Sequence, residues 1–139
     1  MIKIPLPTMN SRAAKIKLKK HLDRNKADEN FVITEGLALY WWRIINRAAF
    51  GGKMKTPIRF DIKPDRTMRD CWGECKGYDA GEVKISVNET IVNRELLIAT
   101  IAHEMIHQWQ WENFNKMNHT DSHYRRLSRK FKKEFGIGI

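Results

Sequence analysis

The stretch "IAHEMIHQWQW", residues 101–111, governs how the rest of the sequence is interpreted. It places His103, Glu104 and His107 in the order H-E-x-x-H within a nearly continuous apolar run. Such a run, continued over several turns, is typical of a helix that is buried on most of its surface. Asn93 is a suitable N-cap for this helix. The sequence therefore predicts a buried helix carrying three polar groups that need partners.

The H-E-x-x-H spacing suits a zinc ion. Positions i and i+4 lie on one helix face, so His103 and His107 can direct two ring nitrogens at one ion. Glu104 is offset by roughly 100° around the helix. It can reach a zinc-bound water as a general base without ligating the metal. The alternative is a chance match, but burying these groups without a partner costs free energy, which favours zinc.

A catalytic zinc site uses three protein ligands, so one more must come from outside this helix. The other histidines are His21, His119 and His123. His119 lies in a predicted loop, residues 113–121, that can return towards the helix. His123 is in phase with the apolar face of the last predicted helix. This favours His119 and keeps His123 as the alternative third ligand, whereas His21 and Glu112 are weaker candidates.

Helical periodicity predicts three further helices. A basic helix spans about residues 11–25, a second spans about 30–50 and stops at two glycines, and a last one spans about 120–135. Trp41 and Trp42 follow the spacing of the second helix, and we expect them to pack in the core rather than to stack on bases. The buried stripe of that helix is predicted to comprise Leu37, Tyr40, Trp41, Ile44, Ile45 and Ala48.

Alternating apolar residues predict two half-buried strands, "PIRFDIK" at 57–63 and "EVKISVN" at 82–88. The glycine-bearing connection "RDCWGECKGYDAG" at 69–81 can contain further short strand pieces. The simplest arrangement is a small antiparallel sheet packed with the H-E-x-x-H helix and flanking helices. The fold class is therefore predicted as α+β. A basic N-terminal helical segment, residues 1–28, is expected to precede a domain at 29–139.

The positive charge is concentrated at the two ends of the chain. The net charge is +10 and the pI is about 9.8. Residues 1–30 and 120–139 carry +5 and +4, whereas residues 31–119 carry +1. This distribution favours a polyanionic partner such as nucleic acid or an anionic surface, although solvated surfaces are the alternative. The candidate phosphate contacts are Lys15, Lys17, Lys19, Arg125, Arg126, Arg129 and Lys133.

Other features of the sequence suggest an intracellular protein. No signal-peptide pattern is visible, and the longest apolar run is too short to span a bilayer. Cys71 and Cys75 are too few for a disulfide framework and are expected to be reduced thiols. We expect a monomer, cytoplasmic or nucleoid-associated, that acts without a membrane partner.

Several segments together resemble the SprT-like family of zinc metallopeptidases, which contains the Spartan-type proteases. The resemblance covers roughly residues 30–135, and its most specific part is the H-E-x-x-H helix. The segments are "INRAAFGGKM" at 45–54, "CWGECKG" at 71–77, "VKISVN" at 83–88, "LLIATIAHEMIHQW" at 96–109 and "NHTDSHYRRL" at 118–127.

The resemblance implies a minimal zincin-like α+β fold with one catalytic Zn²⁺. It places His119 at the third-ligand position and Thr120 where the family often has Gly, a position at which Thr is suitable as an N-cap. It also implies a zinc endopeptidase that cleaves proteins bound or crosslinked to DNA through attack of a zinc-bound water. An edge strand, provisionally Val83–Val87, could hold a substrate peptide by strand addition.

Two other functions stay open at this point. One is a nucleic-acid-binding module whose zinc is structural, and the other is a metal-dependent hydrolase with a non-peptide substrate. The residue that stabilises the transition state is also open, with Tyr124, Tyr78 and Arg125 as candidates.

Overall fold

The computed structural model describes residues 31–68 and 71–138. The predicted basic helix near the N-terminus, the segment 1–28 and His21 lie outside the described residues. The predicted α+β class is confirmed. In chain order the elements are α1 (Glu35–Ala49), β1 (Arg59–Lys63), the one-turn helix α2 (Asp65–Met68), β2 (Gly73–Gly77), a 3₁₀ turn (Asp79–Gly81), β3 (Val83–Asn88), α3 (Arg94–Phe114) and α4 (Ser122–Phe135).

The sheet has the strand order β1-β3-β2. β1 runs parallel to β3, and β2 runs antiparallel to it. The sheet is therefore mixed, and the prediction of a purely antiparallel sheet was wrong for β1. The connection from β1 to β3 includes both α2 and β2, so it is long enough to return the chain to the starting end of the sheet.

β3 is the central strand, so the prediction that Val83–Val87 forms an edge strand was wrong. Val83, Ile85 and Val87 are all buried, as their alternation predicts. Ser86, on the other face, is buried as well. A strand covered on both faces and paired along both edges cannot accept an added strand. Among the described strands, the edges belong to β1 and β2.

The first predicted strand differs from the structure in its burial pattern. Ile58 lies before β1 and is 53% exposed, although its alternation with Phe60 predicted burial. Asp61 is buried instead, because Arg59 and Lys84 both form ion pairs with its carboxylate.

Helix α1 begins later than the predicted Asn30, because Thr34 caps it. The Thr34 hydroxyl accepts a hydrogen bond from the Leu37 backbone N–H. The helix ends at Ala49, and the positive φ angles of 64° at Gly51 and 72° at Gly52 turn the chain away. The predicted end of this helix, at two glycines, is therefore confirmed.

The tryptophans of α1 lie in the core. Trp41 and Trp42 are both buried, which confirms the prediction that they pack rather than stack on bases. The Trp42 indole N–H also donates to Gln108 Oε1 at 2.9 Å, which ties α1 to α3. Tyr40, in contrast, is 40% exposed and does not belong to the buried stripe.

Helix α3 passes through the middle of the domain, in contact with α1, α4 and the sheet. Its predicted cap is confirmed, since Asn93 Oδ1 accepts from the Leu96 N–H. The loop after it is shorter than predicted because the helix continues to Phe114. Asn115, at a φ of 54°, takes the left-handed conformation that ends the helix.

Helix α4 closes the domain. Asp121, rather than Thr120, is its N-cap, because the Asp121 carboxylate accepts from the Tyr124 N–H. The helix therefore begins at Ser122, two residues after the predicted start. Its buried face packs on the core through Leu127, Phe131 and Phe135.

Two glycines let β2 lie directly on α3. A Cβ atom at Gly73 would come within 2.6 Å of Thr100 Cγ2 and 3.0 Å of Glu104 Oε2. A Cβ atom at Gly77 would come within 2.3 Å of the Trp111 ring. Larger residues would force the strand off the helix. The backbone of β2 therefore runs beside Glu104, which places a sheet edge next to the candidate site.

Candidate metal centre

Three histidines converge between the middle of α3 and the loop that follows it. His103 and His107 come from the helix, and His119 comes from the loop before α4. The Nε2 atoms of His103 and His107 are 3.2 Å apart. His119 Nε2 lies 3.0 Å from that of His107 and 3.3 Å from that of His103. We refer to these three residues as the histidine cluster.

The spacing of the histidine cluster fits a zinc ion. Zinc binds imidazole nitrogens at about 2.0–2.1 Å in tetrahedral geometry, which separates the ligand nitrogens by about 3.3 Å. The three separations of 3.0, 3.2 and 3.3 Å are close to that value. Three protein ligands leave the fourth tetrahedral position open. His119 is exposed, so the histidine cluster lies at the protein surface on that side.

The two helix imidazoles are held in the form that binds metal. Burial, together with the neighbouring His107 and His119, lowers the pKa of His103 to about 4. Burial also lowers the pKa of His107. A histidine must be neutral to ligate a metal. Both helix histidines therefore offer a lone pair to a metal at neutral pH.

Tyr124, from the first turn of α4, packs against the cluster. Its hydroxyl lies 3.3 Å from His103 Nδ1, and its ring stacks on His107 with a centroid distance of 5.7 Å. Burial, followed by the Glu104 charge, raises the pKa of Tyr124. The hydroxyl can accept the Nδ1–H of His103 when Nε2 faces a metal. Such a partner orients a metal-binding histidine.

His107 has an orienting partner that the sequence did not suggest. Its Nδ1 lies 2.9 Å from Oε1 of Gln110, one turn further along α3. Gln110 also donates to the Asn118 carbonyl at 2.9 Å, in the loop that carries His119. The signal that could have indicated this role is a glutamine three residues after a ligand candidate, on a helix predicted to be buried.

Glu104 lies beside the cluster. Its side chain is buried, and Oε2 lies 4.0 Å from His103 Nε2. Burial raises the pKa of Glu104 to about 8, and the charge of Glu74 contributes. Because burial keeps His103 neutral, the contact is not an ion pair at neutral pH. The carboxyl is therefore close to the metal position and able to exchange a proton near pH 7.

A pocket opens beside these groups. Its volume is about 360 Å³, within the usual range for ligand pockets. His103 and Glu104 lie on its wall, and the Trp72 side chain beside it is 47% exposed. The other lining residues are Cys71, Gly73, Leu96, Ala99, Thr100 and Gly138.

The comparison with known families agrees with this geometry. Residues 39–138 match the SprT-like family. The chain belongs to the SprT-like family. No curated protein matches the chain. Membership of this family, together with three histidines able to hold a metal ion, makes the chain a metallopeptidase-type domain.

The other ligand candidates of this SprT-like domain lie away from the cluster. The His123 ring packs between Trp109 and Phe114, with centroid distances of 5.6 and 4.7 Å. Glu112 Oε1 accepts the Lys55 backbone N–H at 3.3 Å instead. The structure thus brings His119 to the helix histidines and directs His123 into an aromatic cluster.

The remaining candidates for stabilising a transition state differ in position. Tyr124 contacts the cluster, as described above. The Tyr78 carbonyl accepts the Trp111 indole N–H at 2.7 Å, which fastens the end of β2 to α3. Arg125 donates to the Thr120 carbonyl at 2.7 Å. These two hydrogen bonds, one through the Tyr78 backbone and one through the Arg125 side chain, do not involve the histidine cluster.

The basic candidates of the SprT-like domain lie on the outer side of α4. Lys15, Lys17 and Lys19 lie outside the described residues. The exposed cations of α4, which we call its basic face, are Arg125, Arg126, Arg129, Lys132 and Lys133.

Cys71 and Cys75 are not joined in a disulfide. Burial raises the pKa of the Cys75 thiol well above its ordinary value. No helix in the described part of the chain is long and apolar enough to cross a membrane.

Proposed function

We propose that this chain is a zinc-dependent endopeptidase that cleaves proteins bound or crosslinked to DNA. One observation carries the proposal: three imidazole nitrogens converge within 3.3 Å of one another, with the Glu104 carboxyl 4.0 Å from one of them. Three nitrogen ligands, an open fourth position and an adjacent acid–base group are the parts of a hydrolytic zinc site.

Zinc held by His103, His107 and His119 would polarise the scissile carbonyl and activate water as the nucleophile. Glu104 supplies the proton transfers. Its Oε2 accepts a proton from the attacking water and then delivers it to the leaving nitrogen. Burial raises the pKa of this carboxyl to about 8, and a bound metal cation would lower it again, so both steps would be feasible near neutral pH.

The exposed edge of β2 is the proposed site for the substrate backbone. The Trp72 carbonyl accepts the Asn88 N–H of β3, and the Tyr78 N–H donates to the carbonyl of Glu82, just before β3. Because an antiparallel ladder alternates, Gly73, Cys75 and Gly77 direct their backbone groups away from β3. Within residues 31–68 and 71–138, no strand pairs with that edge. An extended peptide paired there would pass Glu104, with side chains entering the adjacent pocket.

The basic face of α4 is the proposed DNA contact. Arg126, Arg129 and Lys133 are exposed and lie on the helix that begins just after His119. Contacts of these cations with phosphates would bind DNA without regard to sequence. Lys15, Lys17 and Lys19 would add to this contact, in keeping with the net charge of +10. Proteins attached to DNA on this face would be held close to the pocket beside Glu104.

The substitution Glu104→Gln tests the proposed enzyme. The expected result is a loss of cleavage of a DNA-bound protein by about 100-fold or more, with zinc content unchanged, because the amide cannot accept the proton. Glu95→Gln is a matched control, since it makes the same change at the start of α3. Cleavage by Glu104→Gln at the wild-type rate would refute the mechanism. Zinc and DNA binding without cleavage by the wild type would instead support a binding module.

A further inference from the structure

We infer that Gln110 is a positioning residue that orients His107 and holds the loop bearing His119 with the same side-chain amide. The inference rests on the metal site of the proposed function. It concerns a residue outside the H-E-x-x-H pattern. Neither sequence spacing nor family membership assigns it a role.

The Gln110 amide is fully buried, and both of its ends are hydrogen bonded. Its Oε1 lies 2.9 Å from His107 Nδ1 and accepts the Asn118 backbone N–H at 3.3 Å. Its Nε2 donates to the Asn118 carbonyl at 2.9 Å and to the two Asp121 carboxylate oxygens at 3.2 and 3.1 Å. One side chain of α3 thus contacts a cluster histidine and the residues on both sides of His119.

These contacts fix which way the amide faces. In the reversed orientation, the amide NH₂ would meet the Asn118 N–H, and the amide oxygen would meet the Asp121 carboxylate. Both contacts would be repulsive, so Oε1 must face His107. An oxygen at that position can only accept, so Nδ1 of a neutral His107 carries the proton. The lone pair is then on Nε2, the atom that faces the other two histidines.

The same amide organises the loop. Asn118 Oδ1 accepts the backbone N–H groups of Thr120 and Asp121 at 3.1 and 2.8 Å, which forms a tight turn around His119. Asp121 also caps α4. His119 lies between the two residues that Gln110 holds. Because His119 itself is exposed, its place in the cluster depends on these neighbours more than on burial of its own ring.

The test compares two buried glutamines on one helix. Gln110→Met keeps the length of the side chain but removes its hydrogen bonds. Gln108→Met is the matched control, because Gln108 is also buried and instead bonds Trp42 and the Lys55 carbonyl. Zinc affinity is measured by competition with a chelator. We expect about a 10–100-fold loss for Gln110→Met and a change within about threefold for Gln108→Met.

A purely structural role would give a different result. Both variants lose buried hydrogen bonds, so both should unfold at lower denaturant concentrations. If Gln110→Met binds zinc as tightly as Gln108→Met does, Gln110 only stabilises the fold and the inference is wrong. If the wild type itself binds no zinc, the proposed function fails instead. The two failures are therefore distinguishable.

A measurement on the wild type removes the dependence on how the variants fold. Long-range ¹H–¹⁵N correlation spectra of the metal-free protein report the tautomer of each histidine. The expected result is that His107 carries its proton on Nδ1 at neutral pH, with slowly exchanging Gln110 amide protons. A His107 proton on Nε2 would contradict the inference, because Gln110 Oε1 would then face an acceptor.

Discussion

The histidine cluster and the basic face of α4 are both polar, but the side chains of the cluster face one another, whereas those of the basic face point into solvent. In the cluster, three imidazoles face one another at 3.0–3.3 Å, and His107 is buried. On the basic face, Arg126, Arg129 and Lys133 all project into solvent. The cluster includes a loop residue that must be held in place, whereas the basic face needs only the helical repeat.

This difference indicates what each region depends on. Each helix histidine of the cluster has a partner for its second nitrogen, Tyr124 for His103 and Gln110 for His107. Single substitutions should therefore change the cluster strongly. The exposed cations act through their summed charge, so single substitutions there should have small effects.

The largest effect is expected at His119. His119→Ala removes one of three ligands, and the zinc affinity should fall by more than about 100-fold, beyond the loss for a residue that only orients a ligand. His123→Ala, four residues later, should leave zinc affinity within about threefold, since that ring packs between Trp109 and Phe114. Chelator competition with both purified variants checks this.

The opposite result for the two histidine variants would contradict the assignment of His119 as a zinc ligand. Zinc loss in His123→Ala with retention in His119→Ala would mean that the loop does not complete the site. The stability of both variants should be measured alongside, because His123→Ala removes aromatic packing and is expected to lower the free energy of unfolding without changing the metal site.

An intermediate effect is expected from the buried Glu104 carboxyl in the metal-free protein. Its folded pKa of about 8 is above its ordinary value of 4.5, so the folded state binds more protons between these values. The contribution of Glu104 to the free energy of unfolding of the wild type is therefore complete below pH 4.5 and is lost as the pH rises through 8. Glu104→Gln should gain stability relative to wild type, by on the order of 3 kcal/mol from about pH 5 to pH 8.

Urea unfolding at several pH values with a chelator present measures this difference. The effect of His103 on stability has the opposite pH dependence, because its folded pKa of about 4 makes the stability fall as the pH drops below 6.5. Because His103 is present in both the wild type and Glu104→Gln, its contribution largely cancels when their unfolding free energies are subtracted. Adding zinc should reduce the difference, since a cation lowers the pKa of Glu104. A difference independent of pH would show that this carboxyl is not buried in solution.

The smallest effect is expected on the basic face. Changing Arg126, Arg129 and Lys133 together to Gln should lower DNA affinity by about tenfold at low salt and reduce the salt slope by roughly 2–3. Cleavage of a peptide free of DNA should be unchanged. Neutralising the exposed cations Arg43, Arg47 and Lys53 is the matched control. Equal losses in both triple variants would mean that net charge, rather than this face, binds DNA.

Much of the local structure could be predicted from the sequence. The cap at Asn93, the long helix α3, the alternating burial of Val83, Ile85 and Val87, and the stop after α1 all follow from short-range patterns. These features depend on neighbours within a few residues. The start of α1 differs from the prediction because Thr34, rather than a residue near Asn30, caps the helix.

The order of the strands could not be predicted in the same way. The apolar alternation of β1 and β3 is compatible with parallel or antiparallel pairing, since either puts the same residues on the core face. The position of β2 at the sheet edge depends on the close contacts of Gly73 and Gly77 with α3. Such contacts between distant segments leave no periodic signal in the sequence.

The sequence by itself determined the chemistry of the site: two imidazoles one turn apart, a carboxylate beside them, and few remaining histidines from which to complete a ligand set. Only the tertiary structure decided that His119, and not His123, meets the helix histidines. It also showed that Gln110 contacts both His107 and the loop. The physical reason is that helical spacing is fixed over one turn, whereas a loop's return depends on hydrogen bonds such as those from Gln110 to Asn118 and Asp121.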